Sequence, residues 1–115
     1  MTTEVIVTAG FEAWWDGLGV EEQKSVAVVV AMLEERGTTL PFPYSSGIAG
    51  STKLRELRVQ HGGKPYRVLD AFDPKRNAVL LLAGNKTGTN RWYHTHVPRA
   101  EKLFTAYLKE SGQAG

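Results

Sequence analysis

The feature that most constrains the fold is a series of three strand-like runs between residues 53 and 84. The runs are "KLRELRV" (53–59), "PYRVLDAF" (65–72) and "NAVLLLAG" (77–84), and they are rich in apolar, aromatic and β-branched residues. The connectors between them, "QHGGK" and "DPKR", contain Gly-Gly and Asp-Pro and are short enough for hairpins. The sequence therefore predicts an antiparallel meander, which needs other elements to cover its apolar surface.

Elements before and after the meander supply that cover. Residues 3–8 predict a strand, and residues 11–18 and 20–36 predict helices because their apolar residues recur every three or four positions. Residues 37–52 are rich in glycine, proline and hydroxyl side chains and predict a loop, whereas residues 98–110 predict a last helix that begins at a proline. The order β-α-α-β-β-β-α predicts an α+β domain of two layers, with the helices packed on one face of an antiparallel sheet.

The period of two along the strands sorts their side chains between the two faces. If Leu57 and Val59 point toward the helices, Arg58 points to the opposite face, and the same argument places Arg67 there. An arginine in a central strand requires a reason, since arginine is seldom buried. Arg55 falls on the helix side unless a bulge turns it. The face left open is predicted to be cationic.

Length and composition fit a single domain over residues 1–115. The chain is 42% apolar, which is sufficient for an independent core, and it has no cysteine, which excludes disulfides, thiolate metal sites and a cysteine nucleophile. The longest apolar run, "VAVVVAML", is far shorter than the roughly 20 residues that span a bilayer. The N-terminus also lacks the pattern of a secretion signal. We therefore expect a soluble, cytoplasmic protein with no membrane partner.

The charges are distributed unevenly along the chain. Residues 1–52 carry two basic and seven acidic residues, whereas residues 53–115 carry twelve basic and five acidic ones. Solvation of the surface alone would explain many such asymmetries. A basic half with interspersed aromatic residues also suits a polyanion, most often nucleic acid. On this reading the cations expected to bind RNA are Lys53, Arg55, Arg58 and Arg91.

The stretch "AGNKTGTNRWYHTH" places several chemically active side chains directly after the third strand of the meander. They are Lys86, Tyr93, His94 and His96. Together with Arg67 they form one plausible cationic site at the edge of the open face. Cleavage of RNA without a metal needs a base for the 2′-hydroxyl, cations for the charge on the phosphate and an acid for the leaving oxygen. Histidine, tyrosine, lysine and arginine supply these parts.

Each of these residues also has a structural interpretation. Arg58 and Glu56 could form a surface ion pair, His94 and His96 could be solvated, and Tyr93 could pack beside its aromatic neighbour. Other chemistries are disfavoured. The segment "GNKT" lacks the glycines of a phosphate-binding P-loop, and the two histidines lack a third metal ligand at a supporting spacing.

The series "KLRELRV", "PYRVLDAFDP", "AVLLLAGNKTG", "RWY" and "VPRAEKLFTAYL" resembles the RelE/HigB superfamily of bacterial toxins. It is most similar to the phage-derived, Gp49-like, HigB-type branch, and the resemblance covers about residues 4–110. It implies a metal-free, cofactor-free mRNA endonuclease that acts on the ribosome. It also implies a cognate antitoxin, commonly one with a helix-turn-helix domain.

By position, the resemblance assigns the family's strand arginine to Arg67, its following basic residue to Lys86 and its C-terminal aromatic catalytic residue to Tyr93. HigB-type toxins often use a histidine near that tyrosine, which is His94 or His96 in this chain. The chain departs from the pattern beside Lys86, where relatives often have a second basic residue.

Two other functions compete with this reading. A ParE-like toxin of the same fold family would inhibit DNA gyrase by binding it, and such proteins tend to lack the catalytic side chains. A non-catalytic module that binds RNA or a protein partner would use the same cations to contact phosphates without cleaving. Cleavage of mRNA separates the first function from the other two.

Overall fold

The computed structural model describes residues 2–88 and 90–113, which form one five-stranded sheet and three α-helices. The elements follow in chain order, with a short 3₁₀ turn at Gly37–Thr39: β1 Val5–Val7, α1 Ala9–Asp16, α2 Val20–Arg36, β2 Ser45–Gly47, β3 Arg55–His61, β4 Lys64–Phe72, β5 Ala78–Asn85 and α3 Arg91–Glu110. The strand order in the sheet is β1-β5-β4-β3-β2.

The meander lies at the centre of the sheet, as predicted. Strand β4 pairs antiparallel with β3 through Leu57 and Val68, and with β5 through Val68 and Ala83. Strand β1 pairs parallel with β5, so the sheet is mixed. The mixed α+β class predicted from the sequence is confirmed, and the boundaries of α2 are those predicted.

One strand was not predicted. Residues 45–47 were assigned to a loop because serine and glycine disfavour strands, yet they pair antiparallel with β3 as the edge strand β2. A strand this short is stabilised by its neighbour rather than by its own composition. The observed order therefore has four strands after α2, not three.

Helices α1 and α2 cover one face of the sheet. Phe11 of α1 and Val26 and Leu33 of α2 pack in one cluster with Leu57 and Val68. Helix α1 approaches β5 closely at Gly10, where a Cβ atom would lie 2.5 Å from the carbonyl oxygen of Leu81. Only glycine permits that approach, so this residue sets the height of α1 above the sheet.

Helix α3 covers part of the opposite face, which corrects the prediction that all helices share one side. Ala100 and Phe104 of α3 pack with Leu69 and Leu81, whose side chains point to the face opposite the one that α1 and α2 cover. The side chains that β5 directs to either face are apolar, so this strand is buried on both faces. The face that remains open is consequently smaller than predicted and lies beside the first turns of α3.

Helix α3 also begins earlier than predicted. It starts at Arg91, and Pro98 lies inside it rather than at its first turn. The backbone N–H groups of Tyr93 and His94 donate to the carbonyl of Asn90 at 3.1 and 3.3 Å, which closes the first turn. Proline has no N–H to donate, so the carbonyl of His94 receives no bond from residue 98. The stretch "RWYHTH" is therefore part of the helix, whereas the prediction placed it before the helix.

None of the helices in residues 2–88 and 90–113 combines the length and the apolar character that crossing a membrane requires.

Candidate active site

The open face of the sheet is organised around the carboxylate of Glu56, which is only 4% exposed. The hydroxyl of Tyr93 donates to its Oε1 atom at 2.6 Å, and the Nε atom of Arg67 lies 3.6 Å from the same oxygen. Nη1 of Arg58 lies 3.3 Å from Oε2. Glu56 therefore joins two strands and the start of α3 in one polar cluster.

Glu56 is a candidate site residue that the sequence pattern did not indicate. It was considered only as a surface partner for Arg58, whereas the structure buries it. The alternation of side chains along β3 could have indicated it, since residues 56 and 58 lie on either side of Leu57 in sequence and share the face of Arg67. A carboxylate placed between two arginines is expected to pair with them.

Arg67 is buried as well, with 6% of its surface exposed. It lies opposite Arg58 in the register of β3 and β4, so the two guanidinium groups share one face. Its terminal nitrogen Nη1 donates to the carbonyl of Tyr66 at 3.0 Å. Its Nε atom has no hydrogen-bond partner among the described residues, because the 3.6 Å contact with Glu56 is an ion pair too long for a hydrogen bond. The Nε atom of Arg67 is thus buried and is held beside Glu56 by charge alone.

Helix α3 positions Tyr93 through its neighbour Trp92. The indole of Trp92 lies on the backbone of Gly84, where a Cβ atom would come within 2.6 Å of the indole nitrogen. The ammonium of Lys86 lies 5.3 Å from the centroid of the Tyr93 phenol ring, which is a cation–π contact. The backbone N–H of Lys86 donates to the carbonyl of Pro65 at 2.8 Å, which fixes the chain where it leaves β5.

The environment keeps Tyr93 protonated. Its pKa is raised above the usual value by burial, and also by the hydrogen bond to Glu56 and the charge of that carboxylate, with Arg67 acting in the opposite direction. At neutral pH the phenol therefore donates a hydrogen bond and does not carry a negative charge.

The two histidines have different surroundings. His94 is exposed and lines a cleft of about 530 Å³ together with Glu56 and Tyr93. His96 instead stacks on Trp92 with ring centroids 4.2 Å apart, and its Nδ1 atom lies 2.8 Å from the carbonyl oxygen of Trp92. A carbonyl only accepts, so Nδ1 of His96 carries a proton. The structure thus brings His94, not His96, into the cleft with Glu56.

One further wall of the cleft is formed by the end of β2 and the residues after it, 47–50, and another by Val97, Pro98 and Glu101 of α3. Ser51 ties the two walls together, because its hydroxyl donates to Glu101 at 3.1 Å. The walls of the cleft therefore carry two carboxylates and an imidazole, and Arg58 and Arg67 contact one of these carboxylates, that of Glu56.

The residues predicted to bind RNA are dispersed. Arg58 belongs to the cluster, and Lys53 and Arg91 are exposed beside β3 and at the start of α3. Arg55 lies on the other parity of β3, where its Nε atom donates to the hydroxyl of Ser45 at 3.3 Å. Its place on the face covered by α1 and α2 follows from the alternation that puts Glu56 on the opposite face, so Arg55 is not on the open face.

Among the described residues no three histidine, aspartate or glutamate side chains are grouped as they would be around a metal ion.

Comparison of the fold places the chain in a known structural class. A chain in the crystal structure of the archaeal RelE-RelB complex from Pyrococcus horikoshii OT3 is similar to it, with a TM-score of 0.55 and 18% sequence identity. The similarity covers 77% of this chain and 100% of the other. At this identity the comparison establishes a RelE-like fold.

Sequence comparison identifies the family. Residues 13–105 match the family described as phage derived protein Gp49-like. Two Mycobacterium tuberculosis proteins are similar, the "Putative toxin HigB2" (36% identity over 102 residues, 85% of this chain) and the "Putative toxin HigB3" (38% over 114 residues, 96% of this chain). This chain spans 51% of the first protein and 98% of the second. The chain belongs to the RelE/HigB family of toxins from toxin–antitoxin systems, in its Gp49-like group, as the sequence motifs predicted.

Proposed function

We propose that this toxin is a metal-independent endoribonuclease that cleaves mRNA on the ribosome. The observation that supports the proposal is the cluster in which Glu56 contacts Arg67 and Tyr93 beside a cleft that also holds His94. A carboxylate, an imidazole and fixed cations are the groups that RNA cleavage requires when no metal takes part.

The proposed roles follow from the positions of the groups. Glu56 accepts the proton of the 2′-hydroxyl, which then attacks the adjacent phosphorus, and His94 protonates the 5′ oxygen that leaves. Arg67 and Lys86 stabilise the negative charge that grows on the phosphate oxygens. Tyr93 donates to Oε1 of Glu56 and positions the carboxylate.

We also propose a cognate antitoxin as the partner, and the similarity to a chain of a RelE-RelB complex supports this assignment. An antitoxin that covered the cleft or its cationic edge would block access of mRNA. From the family resemblance we further propose that this antitoxin carries a helix-turn-helix domain.

The test is to express the chain alone in bacteria and map the ends of cellular mRNA by primer extension, with gyrase supercoiling assayed in parallel. We expect new mRNA ends and unchanged supercoiling. Glu56→Gln keeps the size of the side chain but removes the base, so it should reduce cleavage by about 10²-fold or more. Inhibited supercoiling without cleavage would establish the ParE-like alternative instead.

A further inference from the structure

The segment that leads into β2 presents two aromatic side chains to solvent. Phe42 is 68% exposed and Tyr44 is 39% exposed, which is unusual for rings of this size. The segment is fixed to the sheet, because the carbonyl of Tyr44 accepts a hydrogen bond of 2.9 Å from the backbone N–H of Arg58. The backbone that carries the two rings is therefore held at the edge of the sheet.

Arg58 connects these rings to the proposed active site. Its guanidinium carbon lies 5.1 Å from the centroid of the Phe42 ring, and its Nη1 atom lies 3.3 Å from Oε2 of Glu56. One side chain thus contacts both the central carboxylate and the exposed ring. A ligand that extends from the cleft along Arg58 reaches Phe42 next.

A second cleft, of about 440 Å³, adjoins this path. Its walls include Tyr44, Arg58 and Arg67, and Val28 of α2 forms part of its far side. Two arginines beside aromatic rings match a ligand with alternating phosphates and flat bases. A purely apolar partner would instead have to bury Arg58 at a cost.

We infer that Phe42 is a stacking platform for a base of the mRNA, with Arg58 holding the phosphate between that base and the cleavage site. The inference rests on the proposed endonuclease function and adds a subsite to it. Stacking on an aromatic ring accepts any base, so Phe42 would contribute to affinity and to positioning of the strand rather than to sequence preference.

The test uses ribosomes programmed with a defined mRNA that carries the fluorescent base 2-aminopurine beside the cleavage site. A 2′-deoxy sugar at that site blocks cleavage while the toxin binds. We expect wild-type toxin to quench the fluorescence by stacking. Phe42→Leu should abolish the quenching and weaken binding by about tenfold or more, whereas Phe42→Trp should retain both.

Val20→Ala is the matched control, because Val20 is 67% exposed and lies at the start of α2. It should bind and quench as wild type does. Thermal unfolding should be unchanged in all these variants, since Phe42 is outside the core.

The outcomes separate the two proposals. If wild-type toxin cleaves the unmodified message but Phe42→Leu cleaves, binds and quenches equally well, the stacking subsite is refuted and the endonuclease function stands. If Phe42→Leu loses affinity only for the antitoxin, the ring is a protein contact and the subsite is again refuted. If wild-type toxin neither binds nor cleaves on programmed ribosomes, both proposals fail.

Discussion

At the scale of single residues, the two histidines of α3 give a sharp test of the site. His94 lines the cleft, whereas His96 stacks on Trp92 and donates to its carbonyl. Residues two apart on a helix are rotated by about 200°, so they face different surroundings. We predict that His94→Ala lowers mRNA cleavage by about 10²-fold and that His96→Ala keeps most of the activity. Cleavage on ribosomes programmed with a defined message measures both.

Equal activity in His94→Ala and wild type would remove this histidine from the mechanism. A larger loss in His96→Ala than in His94→Ala would show that the stacked imidazole matters more than the exposed one. Circular dichroism of both variants is the control for folding.

Arg67 and Lys86 should respond differently to replacement by alanine. The sequence places Arg67 on the open face of the sheet, but the structure buries it against Glu56. Arg67→Ala leaves a buried carboxylate with one fewer cation, so we predict a loss of stability of about 3 kcal/mol together with the loss of activity. Lys86→Ala should lower activity by about 10²- to 10³-fold with little change in stability. Urea unfolding and cleavage assays separate the two effects, and a wild-type stability for Arg67→Ala would contradict the burial argument.

The buried carboxyl group of Asp70 leads to a prediction about how the stability of the fold depends on pH. Its side chain is fully buried, and neither carboxylate oxygen has a hydrogen-bond partner among the described residues. Burial raises its pKa to about 7, although the charge of Arg55 acts in the opposite direction. Between the unfolded value of 3.8 and 7, the folded state holds a proton that the unfolded chain has lost. This group's contribution to stability therefore falls as pH rises through that window, by roughly 4 kcal/mol in all.

The measurement is the stability difference between Asp70→Asn and wild type at several pH values. Because asparagine does not titrate, we predict that the variant gains relative to wild type from pH 4.5 to pH 7.5. A difference that stays constant over this range would show that Asp70 has an ordinary pKa in the folded protein.

At the scale of elements, the site depends on how α3 is seated. The C-terminal half of α3 is tied to the turn between β4 and β5 by Asp73, which accepts from the hydroxyl of Tyr107 at 2.9 Å and from the side chain of Gln113 at 3.1 Å. The first turn is instead set by the contact of Trp92 with Gly84. The two ends of the helix thus have separate anchors, and only the N-terminal anchor, formed by Trp92 and Gly84, lies near the active site.

We predict that Gly84→Ala reduces cleavage more than it reduces stability. The added Cβ atom would lie 2.6 Å from the indole nitrogen of Trp92, so the first turn must move and carry Tyr93 with it. A displacement of about 1 Å can cost 10²-fold in rate. Gly17→Ala is the control, because a Cβ atom there meets only ordinary contacts. If Gly84→Ala retained full activity, the seating of α3 on Gly84 would not position the site.

At the scale of the whole molecule, most of the architecture was readable from the sequence and the centre of the site was not. The meander and α2 follow from local periodicity and turn residues. The start of α3 and the strand β2 depend on tertiary pairing, which overrides a proline signal in one case and a glycine- and serine-rich composition in the other. Glu56 was missed for a related reason, since its burial depends on contacts with β4 and α3 that lie far away in sequence.

The final prediction concerns the intact protein in a cell. If the cluster around Glu56 cleaves mRNA, expression of the chain should arrest growth. Cells that express Glu56→Gln at an equal protein level should grow nearly as well as cells without the toxin. The basic second half of the chain, with twelve basic and five acidic residues, is best neutralised by a partner that lays an acidic or helical segment across it. Co-expression of a small protein encoded beside the toxin should therefore restore growth, and pull-down should recover the two as a complex. Growth curves with immunoblots for toxin level give the measurement. If the chain is harmless in every host tested, the toxic activity is contradicted. If growth arrest persists with Glu56→Gln, the chain is toxic but its action does not depend on this cleft.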